Sequence, residues 1–428
     1  MALPVEESRW RRLIEECFWR EAGANAPIPS SFQDLIESGA LDSMGWVSFL
    51  RALESASGIN DLGALLTERV PSFDSILDIF EKFQVEKQAV ISSATSTVRT
   101  TATAPIVIAS SSAAFGSRVI SSAEIDRAFG MPGGKLRLRA GIDSVAHAIA
   151  GEDELSLGAR AAQEALHSAS CGVQHVDWII ATSETHHAFP SLAAQLHSQL
   201  LARETCGALD VGGACLGLLN GFAAAQAFIA SGRVRTILVI SADVHSRILA
   251  PGRVVGEFGG LFGDGASAFL LRSAGDESPD SAYSFADFFF GCAGQYAGAI
   301  RVARTSDGTL DAHFDGEALS RAAITRLEKV IHETEIRSGI ERSALRGLAT
   351  HQPNPRLLAL LAKQLGLPQD KFPPVAQKYG NLGSSTCGVA LHSLLQSAAA
   401  DSASRHSPIF MASLGPGLLF GGGWFRSA

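Results

Sequence analysis

Apolar residues recur with a helical period in three stretches at the start of the chain. Trp10, Leu13, Ile14, Cys17 and Phe18 fall at i, i+3, i+4, i+7 and i+8, which is one face of a helix. Trp46, Phe49, Leu50 and Leu53 repeat the spacing. Phe73, Ile76, Leu77, Phe80 and Phe83 do so again, behind Pro71-Ser72 as a helix start. Three amphipathic helices with no strand between them predict a small all-α bundle over residues 1–87. The period is lost over 88–104, QAVISSATSTVRTTATA, a Ser/Thr/Ala run that reads as a linker. From Pro105 the pattern changes class. Short apolar runs (PIVIAS, WIIAT, ILVISA, ASAFLL) alternate with helical stretches near 155–170 and 191–201, which predicts an α/β layered sheet.

This second zone repeats itself in order. HVDWIIATSETH leads to GGACLGLLNGF; later, ALRGLATHQPN leads to GNLGSSTCGVAL; and RTILVISADVH is answered by SPIFMASLGPG. The order predicts two pseudo-equivalent halves, 105–275 and 276–428.

Composition narrows the class. The 428 residues are 46% hydrophobic and only 18% charged, enough to bury a large core and too apolar for bulk disorder. A net charge of −8 gives no support for nucleic-acid binding. The start, MALPVEESRWRRLIEE, lacks a signal pattern. The most apolar long run, 216–230, carries Asn220 and Gln226 and is too short to span a bilayer, so a cytoplasmic chain without membrane contact is expected. The six cysteines are scattered, with no CxxC, and read as reduced thiols. His186-His187 has no paired ligand set, so no metal site is expected.

Three residues carry candidate chemistry. Cys215, in DVGGACLGLLNGF, follows a strand-like ALDV and two glycines and precedes an Ala/Gly-rich helix. A helix N-terminus favours a thiolate, so a lowered thiol pKa is expected there. A lone cysteine in an apolar segment is ordinarily an inert core residue; the glycines, which permit a sharp turn, shift that balance. His351 ends a short apolar strand in GLATHQPNPR, and Asn381 precedes another small-residue helix in KYGNLGSS. The internal repeat predicts that these three loops leave equivalent strand ends. A cysteine with a histidine partner is a recurring pair for covalent catalysis.

Six ordered segments resemble the β-ketoacyl-acyl-carrier-protein synthase III family. RLRAGI is similar to its Arg-x-Gly-Ile segment, THHAFPSLAAQLHSQL to the stretch at the dimer and acyl-pocket boundary, and GGACLGLLNGF to the nucleophile segment. FGDGASAFLL resembles its glycine turn and strand, HQPNPRLL its histidine loop, and GNLGSS its asparagine loop. The resemblance covers 105–428. It implies a thiolase-like αβαβα fold of two repeated halves, a homodimer, and a Cys215–His351–Asn381 triad. It further implies Phe189 and Leu414 at the acyl-pocket and dimer boundary, and Arg139 at the substrate entrance. The expected reaction is decarboxylative condensation of an acyl group on Cys215 with a malonyl-type carrier thioester, in fatty-acid-like or polyketide biosynthesis. The acyl donor would be a carrier or coenzyme A thioester. Two other readings stand beside it: a non-condensing acyltransferase to an alcohol or amine, and a non-catalytic carrier-docking partner.

The first zone resembles an acyl or peptidyl carrier protein. LIESGALDSMGWVSFLRALESASG matches a Gly-x-x-Asp-Ser-Met/Leu pattern followed by a helix. Asp42 and Ser43 are also good helix N-caps on their own account. The resemblance implies 4′-phosphopantetheine on Ser43, attached by a phosphopantetheinyl transferase, with a carrier working in cis or in trans. The chain departs from these families in three places. The second helix of the carrier zone is poor in acidic residues, and Lys135 stands where the synthases place a tryptophan that stacks on coenzyme A. Pro416, in LGPGLLFGG, stands where they supply a backbone N–H to the oxyanion, and proline has none. The N–H of Cys215 with a shifted neighbour such as Gly417 is then the expected donor pair, or acyl stabilisation differs here; a GPG loop also resembles that of plant-type polyketide synthases.

Incubation with a phosphopantetheinyl transferase and coenzyme A should add one arm to the wild-type chain and none to Ser43→Ala. Intact mass decides this: a full arm on Ser43→Ala excludes Ser43 as the attachment point.

Overall fold

In the computed structural model the helical period at the chain start becomes α1 (Val5–Ala22) and α2 (Ser43–Ser57). The structure describes residues 5–23, 41, 43–57, 76, 106–254, 256–274, 283–285, 287–304, 310–314, 316–401 and 406–427. The chain divides into two units, Met1–Thr100 and Thr101–Ala428. In the first, Ile14, Cys17 and Phe18 of α1 and Trp46, Phe49, Leu50 and Leu53 of α2 are buried. Phe18 meets Phe49 edge-on at 6.1 Å between centroids, a favoured aromatic geometry. Of the third expected helix only Ile76 is described, and it is buried. The linker at 88–104 and Asp42 lie outside the described residues.

Among the described residues, the main sheet of the second unit has ten strands: β1 (Ile106–Phe115), β2 (Trp178–Thr182), β3 (Gly207–Asp210), β4 (Thr236–Val244), β5 (Asp264–Ser273), β6 (Tyr283–Phe285), β7 (Phe288–Cys292), β8 (Gly347–Thr350), β9 (Ile409–Gly415) and β10 (Leu419–Ser427). Their order is β8-β9-β10-β6-β1-β5-β4-β2-β3, with β7 also on β10. The repeat in the sequence is a repeat of topology. β2 runs parallel to β4, which is antiparallel to β5, which is antiparallel to β1. In the second half β8 runs parallel to β9, which is antiparallel to β10, which is antiparallel to β7. β6, paired with both β1 and β10, joins the halves.

The central strands are covered on both faces. β4 is buried at every position and β5 at its first eight, which is why they read as continuous apolar runs rather than alternating ones. On one face α3 (Glu154–Ser168) and α4 (Leu192–Gln199) pack Leu157, Ala161, Ala165 and Leu196 against Ile179, Leu238, Ile240 and Leu270. On the other face lie α5 (Gly217–Ala230) and α8 (Ser385–Ala400), which touch strands of both halves: Ile180, Val239 and Phe269 from the first, Ile409, Met411 and Phe425 from the second. α6 (Gly316–Ser338) and α7 (Pro355–Leu365) close the outer face of the second half, with Val330, Ile331, Leu361 and Leu365 on Leu348, Phe410 and Ala412. Helix, sheet, helix, sheet, helix is the thiolase-like layering. Among the described residues no helix is long and apolar enough to cross a membrane.

Phe222 of α5 ties the halves together. Its ring lies 5.1 Å from Phe269 in the first half and 5.7, 6.1 and 6.2 Å from Phe285, Phe288 and Phe425 in the second. Phe222→Ala should therefore destabilise the second unit by about 3–5 kcal/mol through transfer and cavity costs. Urea unfolding checks this, and an unchanged midpoint would show that the cluster does not hold the halves.

Candidate active site

The sequence builds the turn before Cys215 from small residues because the backbone must reverse there. Gly213 has φ of +125°, and a Cβ on it would lie 2.4 Å from Asn220 Nδ2; only glycine fits both demands. Asn220 Nδ2 donates to Gly212 O at 2.8 Å, so this polar residue of α5 braces the turn. Ser413 at the end of β9 donates to Cys215 O at 2.8 Å. Cys215 is left half-buried, two residues before α5 begins.

His351 directly follows β8 and is buried. Its N–H donates to Ala412 O at 3.2 Å. The next residue, Gln352, locks the loop: its Nε2 donates to Pro373 O at 2.8 Å, and Ala376 N donates to its Oε1 at 3.1 Å. Asn381 is buried and is held by the LFGDG turn, since Asn381 N donates to Leu261 O at 2.8 Å and Gly263 N to Asn381 O at 3.0 Å. Its side-chain Oδ1 accepts from Gly383 N at 3.0 Å and Thr386 Oγ1 at 3.2 Å. With the oxygen occupied by these donors, the donor end, Nδ2, is turned the other way.

Cys215, His351 and Asn381 meet on one cavity of about 650 Å³. Much of the wall is apolar: Ile248, Leu249, Phe258, Leu261, Phe262, Leu357, Leu414 and Leu418. The polar remainder includes Ser183, Glu184, Thr185, His187 and His245.

Burial and a charged cluster set the electrostatics. Glu184 Oε2 lies 3.4 Å from His245 Nε2. Asp243 Oδ1 accepts from Glu184 N at 2.5 Å, and Asp243 Oδ2 accepts from Ser384 N at 2.9 Å and Ser384 Oγ at 2.6 Å. Burial alone would lower His245, but the carboxylates of Glu184 and Asp243 outweigh it and hold the imidazole at about 9, so it is a cation at neutral pH. Burial works against Glu184 in turn, yet His245 keeps its carboxyl below the usual range. Asp243 is raised to about 6 by burial and by the neighbouring Glu184 charge. His351 is lowered to about 4, chiefly by burial, and is neutral at pH 7. Cys215 departs from expectation. Its thiol is raised well above the ordinary value, first by burial and then by the Glu184 carboxylate. The benefit of the helix start is outweighed, because dry surroundings and an adjacent negative charge both penalise a thiolate.

The other expected residues are placed as follows. Leu414 lines the cavity. So does Pro416, whereas Gly417, with φ of +79°, does not, and its carbonyl accepts from Cys292 Sγ at 3.6 Å. Arg139 is exposed on a helical turn over Leu136–Ala140, outside the cavity wall. That turn ends at Gly141, where a side chain would touch Pro355 and Arg356 beside the wall residue Leu357. Phe189 is 100% exposed and also off the wall. Ser43 is the first residue of α2, in the other unit. All six cysteines are free thiols.

Glu184, Asp243 and His245 were not singled out by sequence reasoning. A signal was present: the repeat sets Ser183-Glu184 after β2 as it sets His351-Gln352 after β8, and Asp243-Val244-His245 at the end of β4 as Gly415-Pro416 at the end of β9.

Comparison with known proteins matches residues 209–294 to the family described as 3-oxoacyl-[acyl-carrier-protein (ACP)] synthase III, and residues 336–427 to its C-terminal part. The β-ketoacyl-[acyl-carrier-protein] synthase III of Serratia proteamaculans is 33% identical over 261 residues, 59% of this chain and 78% of that protein. The synthase III of Haemophilus ducreyi is 32% identical over 295 residues, 67% of this chain and 86% of that protein. The crystal structure of 3-oxoacyl-[acyl-carrier-protein] synthase III from Aquifex aeolicus covers 75% of this chain and 99% of its own, with a TM-score of 0.66 and 25% identity. OleA of Xanthomonas campestris shares the fold at a TM-score of 0.66 and 19% identity, over 75% of this chain and 98% of its own.

The charged cluster has a stability signature. A histidine whose folded pKa is raised contributes stability that is whole below its unfolded value of about 6.5 and is lost as pH rises toward the folded one, here about 9. Wild-type thermal midpoints should therefore fall across that window more steeply than those of His245→Gln. Parallel curves would mean that His245 is not a buried cation.

Proposed function

This chain belongs to the 3-oxoacyl-[acyl-carrier-protein] synthase III family, and from that premise we propose that it loads an acyl group onto Cys215 and condenses it with a malonyl-type carrier thioester, releasing carbon dioxide and a β-ketoacyl thioester. The observation that carries this reading is the pair of neutral donors that line the same cavity as the nucleophile. Asn381 has its Oδ1 tied to Gly383 and Thr386, so its amide N–H groups are the free end. His351 is neutral in the same wall and presents one ring N–H.

The steps follow from those groups. The acyl chain lies against the apolar wall while the Cys215 sulfur attacks its thioester carbonyl. The malonyl thioester then places its carbonyl oxygen between Asn381 and His351. Breaking the bond to the carboxylate sends an electron pair onto that oxygen, and two fixed donors in a dry site stabilise the enolate. The enolate carbon attacks the acyl carbonyl, forms the new C–C bond and expels the Cys215 thiolate. Pro416 offers no N–H in the wall; the Cys215 N–H at the helix start is the donor for the acyl oxygen.

The same reading covers the rest of the molecule. Donors are coenzyme A or carrier thioesters, and Ser43 bears a phosphopantetheine arm that serves the chain in cis or in trans. The enzyme works in the cytoplasm as a homodimer.

Asn381→Ala should leave acyl transfer onto Cys215 largely intact, because that half-reaction forms no enolate. Malonyl decarboxylation should fall by about a hundredfold or more, the typical loss for one anion-stabilising donor. Single-turnover acylation beside carbon dioxide release reads both. A wild-type enzyme that never decarboxylates malonyl-carrier, yet acylates a hydroxyl or amine, overturns the condensing function.

A further inference from the structure

The cavity holds an ionisable group that the condensation above does not use. Glu184 Oε1 is buried with no conventional hydrogen-bond partner among the described residues, and the group that reaches the carboxylate in the wall they share is the Cys215 thiol, which acts on it as a side-chain hydrogen-bond donor. The rest of the side chain is fixed. Oε2 faces His245 at 3.4 Å, and the peptide N–H is pinned to Asp243. Gly383, with φ of +58°, closes over the cluster so tightly that a Cβ there would lie 2.5 Å from His245 Cε1 and 3.0 Å from Glu184 Cδ. A buried carboxylate held this rigidly needs a proton donor for its second oxygen, and the Cys215 thiol is the donor within reach.

We propose that Glu184 is the proton carrier for loading Cys215: its second oxygen takes the thiol proton as sulfur attacks the thioester, and returns it to the departing thiolate. The step balances. The S–H bond breaks and an O–H bond forms on Glu184 as the new C–S bond forms. Collapse of the tetrahedral adduct breaks the C–S bond to the donor. Glu184 then protonates the released sulfur, and the products are acyl-Cys215, a free donor thiol and the original carboxylate. His245 is a positioning residue, holding the other oxygen. The assignment rests on Cys215 being the acylated nucleophile.

The sign of one substitution separates this role from a passive charge. Glu184 is the charged group with the greatest influence on the Cys215 thiol, and it opposes ionisation. If it were only a charge, Glu184→Gln would populate the thiolate and speed loading. As the proton carrier, its loss slows loading. Glu184→Gln should therefore show faster alkylation of Cys215 by iodoacetamide at pH 7, together with single-turnover acylation from an acyl-coenzyme A thioester slowed by about a hundredfold, the usual scale of general-base catalysis. Faster alkylation also shows that the cavity is intact. Acylation by Glu184→Gln should climb with pH toward the thiol pKa, while wild-type acylation stays nearly level; the titratable groups facing Glu184 are Cys215, Asp243, His245 and His351, with Asp264 acting on His245. Glu184→Asp should recover part of the rate. Acylation by Glu184→Gln at or above the wild-type rate overturns the assignment, as does a loss of acylation confined to His351→Ala. A wild-type enzyme that acylates but never releases carbon dioxide overturns the condensing function and not this assignment.

Discussion

Two helices must be buried back to back for the active site to exist. α5 and α8 are wrapped by strands of both halves, and their packing demands small residues: a Cβ on Gly388 would lie 2.0 Å from Ser267 Oγ and 2.7 Å from Leu218 Cδ2. Because each helix starts from a loop beyond its half's strand ends, sealing them into one layer brings Cys215 and Asn381 to the same cavity. His351 arrives there from β8, at the position where Ser183 and Glu184 leave β2. Apolar burial thus fixes the chemistry, and the interior of such a layer is too dense for these loops to drift apart.

The same burial sets the charges. Burial keeps His351 neutral, and burial with the Glu184 charge keeps Cys215 a thiol, so neither a resting ion pair nor a resting thiolate is available as the source of reactivity. What the site offers instead is a charged cluster, in which the His245 cation pairs with the Glu184 carboxylate and is further held by the charge of Asp243. Fixed neutral donors and a fixed carboxylate on the wall of one cavity suit a reaction that loads a thiol first and stabilises an enolate second.

The layered fold and the three site residues were legible in the sequence because they follow from order and spacing. Apolar runs of strand length alternated with small-residue helices, and the repeat put Cys215 and Asn381 before equivalent helices, with His351 at the end of a strand equivalent to β2. The electrostatics were not legible. A helix start reads as favouring a thiolate, and only the fold shows that a carboxylate 31 residues earlier in the chain (184 against 215) faces the same sulfur. Gly417 looked like the neighbour that replaces Pro416, yet its left-handed backbone takes it off the cavity wall. Glu184 and His245 carried a weak signal in the repeat, but their types differ between the halves, so pattern alone gave no reason to pair them.

Following one acyl group through both half-reactions bears most directly on the condensing assignment. After exposure to an acyl-coenzyme A thioester, the intact mass of the wild-type chain should rise by one acyl unit, mapped to Cys215. Malonyl-carrier should then discharge that unit with one carbon dioxide released for each acyl lost. An acyl group found on another of the six cysteines, or discharged with no carbon dioxide, would contradict the account.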